Sequence, residues 1–158
     1  MLKNPHFGAS IVRWLDQYAP PGYFTTDASL IIQGWNRWLE NKSGLAAQCV
    51  VGRPLFEVFP ELLSRQLDRL YQDALSGQVA VLAHRFHKYL IKLPLNPDTG
   101  FSEMQQAASI GPLGQDDEVI GTITVIDDVS ERVGHENELL AAREEADKAN
   151  AAKDRFIA

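Results

Sequence analysis

Residues 119–132, VIGTITVIDDVSER, change character in mid-stretch, and that change decides the fold. Val119 to Asp127 is dominated by Val, Ile and Thr and reads as an extended segment. From Asp128 to Ala158 there is no proline, a single glycine and an abundance of Glu, Lys, Arg and Ala, which predicts one long helix. A helix of about 30 residues would run about 45 Å, far longer than a small domain needs. Asp128 with Glu131 three residues later has the form of a capping box at its start. Leu139, Ala142, Ala146, Ala149, Lys153 and Phe156 alternate in steps of three and four, the pattern of a coiled-coil seam. Small residues make that seam weak, so the helix is expected to pair only with help from the rest of the domain.

Upstream, Val79 to Leu93 and Phe101 to Ile110 read as two further extended segments, with turns at NPDTG 96–100 and GPLGQDDE 111–118. Before them Glu61 to Gly77 predicts a helix, with Leu63, Leu67, Leu70, Tyr71, Ala74 and Leu75 near the 3.6-residue period. Tyr23–Thr26 and Leu30–Trp35 form a hairpin around Asp27, Ala28 and Ser29. Asn36 opens a short helix that stops at Ser43 and Gly44, and further short helices reach Pro60. The sum is an α+β domain with a five-stranded antiparallel sheet and short helices on one face. At the N-terminus Phe7, Ile11, Trp14, Leu15 and Tyr18 fall on one side of an amphipathic helix ending at Pro20 and Pro21. So large a stripe must cover the outside of the sheet or a second copy of itself. Three parts follow: helix 1–21, domain 22–128 and C-terminal helix 129–158.

The 158 residues suit one compact domain, and 45% hydrophobic with 23% charged residues is the balance of a globular protein. No run approaches the roughly 18 apolar residues of a membrane span, and no basic-then-apolar leader opens the chain, so a cytoplasmic location is expected. The net charge of -6 divides evenly between 1–127 and 128–158, which leaves neither part the basic footprint of a nucleic-acid binder or a polybasic membrane anchor. Cys49 is the only cysteine; it excludes an internal disulfide or a Cys-based zinc site and reads as a small buried residue.

His84 and His87 have a metal-ligand spacing for a helix, but the extended reading puts them on opposite faces, so no metal site is expected. As a general base of a small α+β enzyme, either histidine lacks a recognisable catalytic partner. Trp35, Trp38, Phe56, Phe59, Tyr71 and Phe86, with His84 at the rim, are candidates to line a ligand cavity between sheet and helices; the same set also serves as plain core. Arg85, Lys88 and Lys92 make that stretch locally basic. GPLGQ at 111–115 has no following helix and cannot cradle phosphate.

Ile32, Trp35, Asn36, Ser43, Gly44 and the string VGRPLF 51–56 with Phe59 resemble the core of the PAS domain family of sensory modules. Asp128, Val129, Ser130, Glu131 and Arg132 are similar to the Asp-Ile-Thr-Glu-Arg string that ends many of its members, Ser130 keeping the threonine's hydroxyl. The resemblance spans about residues 23–132 and implies that Asp128, Ser130, Glu131 and Arg132 join the last strand to an output helix. It implies a sensor without a catalytic residue of its own. AAKDRFIA 151–158 resembles the residues just before the phosphoacceptor box of sensor histidine kinases. That second likeness implies a homodimeric sensor portion of a two-component histidine kinase, with ATP and Mg needed only by a kinase core elsewhere in the chain, and a response regulator as partner. A ligand-free relay module and a domain feeding a cyclic-dinucleotide synthase remain alternatives. Haem is not expected, because helix 61–77 has no histidine and the iron would need His84 or His87. Flavin-cysteinyl chemistry is not expected either, because Cys49 precedes the Gly52-Arg53 pair instead of following it.

Overall fold

The computed structural model describes residues 5–18, 21–94 and 101–157. The elements run α1 (Pro5–Tyr18), β1 (Gly22–Asp27), β2 (Ile32–Trp35), α2 (Arg37–Ser43), α3 (Ala47–Val50), α4 (Leu55–Val58), α5 (Glu61–Ser64), α6 (Asp68–Leu75), β3 (Ala80–Leu82), α7 (His84–His87), β4 (Gln106–Gln115), β5 (Glu118–Asp128) and α8 (Ser130–Ile157). The five strands form one sheet in the order β2-β1-β5-β4-β3, every pairing antiparallel. Its inner face carries Phe24, Thr26, Ala108, Ile110, Thr122, Thr124 and Ile126, all buried beneath the short helices. Tyr23, Thr25, Ile123 and Val125 face the other way and are half-buried.

The hairpin and the first capped helix stand where the sequence puts them. Asp27 turns the chain by accepting from the amides of Ser29 (2.9 Å) and Ile31 (3.0 Å). Asn36 is fully buried, and its Oδ1 accepts from the amides of Leu39 and Tyr23, each at 3.2 Å, while its Nδ2 donates to the Pro21 carbonyl. One side chain therefore caps α2 and ties it to β1. Gly44 ends the helix at φ 74° with its amide on the Glu40 carbonyl.

Three local expectations are corrected. The helix expected over 61–77 is two helices, α5 and α6, broken at Gln66 with φ 57°. On an unbroken helix Leu62 and Leu67 would point about 140° apart. The left-handed residue between them lets Leu62, Leu67, Tyr71 and Ala74 all reach the core while Leu63 turns outward. The strand expected over 79–93 ends at Leu82; α7 and an irregular run follow, in which Leu90, Ile91 and Leu93 are all buried without alternation. The turn expected at 111–118 is only Asp116 and Asp117, both at positive φ, so β4 and β5 extend to within two residues of each other. Pro112 is tolerated inside β4 because β3 pairs only as far as Ile110. The turn expected at NPDTG 96–100 lies outside the described residues.

Candidate functional site

The C-terminal helix is joined to the sheet by a small set of bonds at the end of β5. Asp128 Oδ1 accepts from the Ser130 amide at 3.0 Å, and the Val129 amide donates to the Gln105 carbonyl at 2.8 Å. Ser130 Oγ, buried, accepts from the Gln105 amide at 2.9 Å. Val129 and Val133 are buried beneath the first turn, whereas Glu131 and Arg132 are exposed. The sheet thus grips α8 through Asp128 and Ser130, and the next two residues face solvent. The helix runs 28 residues in all, and beyond its first turn Leu139 and Leu140 are exposed. The side chain of Phe156, last in the expected seam, is outside the described residues.

The aromatic set divides. Trp35 lies 5.7 Å from Phe24 and stacks on Phe59 at 5.8 Å between ring centroids, and its Nε1 donates to the Leu45 carbonyl. Phe56 meets Tyr71 edge-on at 6.1 Å. The Tyr71 hydroxyl is 3.1 Å from Thr124 Oγ1, beside a second buried hydroxyl pair, Thr26 and Thr122, at 2.7 Å. Burial pushes the Tyr71 hydroxyl pKa far up, against the weaker opposing effect of Thr124. Trp38 is half-buried, with Lys42 Nζ 5.8 Å from its ring centre.

Phe86 does not join this set. It is 84% exposed, and His84 is only half-buried, because the chain leaves the sheet after Leu82. The two histidines share one helical turn instead of alternating along a strand, so the opposite-face argument no longer applies to them. No group of three His, Cys, Asp or Glu side chains that could hold a metal occurs among the described residues. Cys49 is exposed, not buried.

Two surface hollows stand out among the described residues. An apolar groove of about 460 Å³ separates α1 from the outer face of the sheet, with Val12 and Leu15 on one wall and Tyr23, Leu113, Ile123 and Val125 on the other. The rest of the α1 stripe stays uncovered: Phe7, Trp14 and Tyr18 are each more than half exposed. Asp16 accepts from the Tyr23 hydroxyl at 3.3 Å. Burial and then Asp16 raise that tyrosine's pKa to about 12. A second hollow of about 340 Å³ lies at the β3 edge, with Arg65, Arg69, Asp73 and His87 around Leu67 and Leu82.

Residue patterns did not disclose Arg65, Gln106 or the inner threonines, whose roles depend on partners far along the chain. No helix among the described residues is long and apolar enough to cross a membrane.

A family model described as the PAS fold matches residues 17–134. No curated protein matches the chain. Among solved structures, a sensory box sensor histidine kinase from Vibrio cholerae is similar at 18% identity and a TM-score of 0.51, covering 77% of this chain and 89% of that one. The PAS domain of a protein from Colwellia psychrerythraea is similar at 15% identity and a TM-score of 0.55, with 79% and 98% covered. An RNA-binding Light-Oxygen-Voltage receptor is similar at 19% identity and a TM-score of 0.62, with 93% of this chain and 40% of that one covered. The match over most of the chain, the β2-β1-β5-β4-β3 sheet and the gripped C-terminal helix lead to one conclusion: this chain belongs to the PAS fold family.

Proposed function

We propose that this PAS signalling domain is the sensor portion of a two-component histidine kinase, working as a cytoplasmic homodimer and passing its state through α8 to a kinase core. The observation that carries the reading is the bonding to the sheet, at Asp128 and Ser130, of the 28-residue helix that starts at Ser130. A rigid rod gripped at one end converts a small change in the sheet into a displacement at the other. The tail AAKDRFIA, and the occurrence of this fold in a sensor histidine kinase, support the kinase output. ATP, Mg and the response regulator belong to that downstream part.

The dimer contact in this reading is α1, with Phe7, Ile11, Trp14, Leu15 and Tyr18 meeting the same surface of a second copy. Its support is the exposure of the stripe beside an apolar groove on the outer sheet face. A signal acts by favouring one of two arrangements of the paired helices, which requires different affinity for each.

A ligand-free relay module is the second reading. In its favour, the core rings pack on one another and no buried side-chain polar atom among the described residues lacks a partner.

Native mass spectrometry of the purified chain, beside its denatured mass, separates the two: a retained small molecule at dimer mass supports the sensor, and a ligand-free dimer the relay. A monomer refutes the pairing. In the full-length protein, Asp128→Ala should abolish the signal dependence of autophosphorylation; unchanged dependence refutes the junction as the coupling point.

A further inference from the structure

The segment between α7 and Leu93 contains a strained turn, and it is clamped from both sides. Lys88 has φ 59° and ψ -52°, and the Tyr89 amide bonds the His87 carbonyl at 2.6 Å. That is a γ-turn of the rare positive-φ hand, which a residue with a Cβ adopts only under constraint. The constraint on one side is Arg65. Its Nη2 donates to the carbonyls of His87 (2.7 Å) and Tyr89 (2.6 Å), its Nη1 donates to that of Leu90 (3.1 Å), and its guanidinium lies 4.3 Å from the Tyr89 ring centre.

On the other side stands Gln106, buried at the start of β4. Its amide donates to the Lys88 carbonyl at 2.7 Å, its Oε1 accepts from the amides of Leu90 (2.9 Å) and Ile91 (3.4 Å), and its Nε2 donates to the Ile91 carbonyl at 2.7 Å. The preceding residue, Gln105, is the one whose amide and carbonyl hold Ser130 and Val129 at the root of α8. Two adjacent residues therefore bind the strained turn and the output helix.

We propose that residues 88–91 are a latched strap whose position is read by α8 through the Gln105–Gln106 pair, with Arg65 as the latch and Gln106 as the positioning residue. Strain at Lys88 favours release; the Arg65 and Gln106 bonds oppose it. The β3-edge hollow abuts the Arg65 side chain and His87, so an occupant drawing the guanidinium away would loosen the strap and with it the cap of α8. The inference rests on α8 being the output element. Its test uses the 158-residue chain alone, so it fails or succeeds independently of the autophosphorylation experiment.

The test is amide hydrogen exchange read by NMR. Arg65→Gln should speed exchange at Leu90 and Ile91 about tenfold, the scale of one charge-assisted hydrogen bond. Gln105 and Val129 should accelerate by a similar factor, while Leu39, at the remote α2 cap, stays unchanged. Coupling is reciprocal, so Ser130→Ala should speed Leu90 and Ile91 in turn. Lys88→Gly keeps every backbone partner and removes the strain, so it should slow exchange at both places. Acceleration of the strap with Gln105 and Val129 unmoved, or a Lys88→Gly chain whose α8 root exchanges as in the parent, overturns the proposal.

Discussion

Replacing Asn36 by alanine tests whether one buried side chain joins the first helix to the sheet. The truncation removes the acceptor for the amides of Leu39 and Tyr23 and the donor to Pro21, at a side chain that is itself fully buried. Loss of the helix cap costs about 1 kcal/mol. A second amide left without a partner adds about 1 to 2 kcal/mol, while the Pro21 carbonyl, half-buried, adds little. The expected loss is about 2 to 3 kcal/mol, or roughly 4 to 12 °C in Tm for a chain of this size. Urea unfolding followed by tryptophan fluorescence at fixed protein concentration measures it, with the slope m unchanged if only stability moves. Asn36→Ser, which keeps a capping oxygen but not the reach to Tyr23, should fall between parent and alanine variant. A loss below about 0.5 kcal/mol for alanine would refute the accounting, because that is the scale of a substitution away from any such feature.

Gly121→Ala should be among the most damaging single-methyl additions, since its Cβ would collide with the Thr26 backbone across the β1–β5 ladder; thermal unfolding should show a drop of several degrees, and an unchanged Tm would contradict the pairing. Tyr71→Phe should cost about 1 kcal/mol by stranding Thr124 Oγ1, and adding Thr124→Val should recover most of it; additivity in that double-mutant cycle would deny the bond. Tyr23, with its pKa raised from 10.0 to about 12 on folding, contributes stability that is complete below pH 10 and lost as pH rises towards 12. Denaturant titrations across that window should show Tyr23→Phe losing stability less steeply than the parent, and parallel curves would rule the contribution out.

What the sequence disclosed and what it withheld follow one physical division. Asp27, Asn36 and Asp128 accept from amides within four residues and Gly44 donates its own amide to the carbonyl four residues back, so residue type at a short spacing is enough to locate the hairpin, both ends of α2 and the root of α8. Leu90, Ile91 and Leu93 form a dense apolar run that looks extended whether its amides meet a strand or, as at Leu90 and Ile91, the side chain of Gln106. Periodicity over 61–77 survived the break at Gln66, since one left-handed residue rephases the apolar face without changing its composition. Residue type alone groups Phe86 with the core aromatics; its exposure follows from where the chain turns after Leu82. Arg65 grips carbonyls 22 to 25 positions away, a distance at which no local pattern announces a contact.

The sheet places its longest strands, β4 with 10 residues and β5 with 11, away from its margins, while the margins are β2 with four residues and β3 with three. β2 and β3 offer a passing chain few unpaired amides for templating cross-β growth, and where β4 runs past β3 over Gly111–Gln115, Pro112 breaks the row. On the β3 side α7 interrupts the extended path directly after Ala83, so Val81 and Phe86, though exposed, do not lie on one continuous ribbon. A change that straightened residues 83–88 into strand would lengthen that border and turn an interrupted margin into a site of self-association.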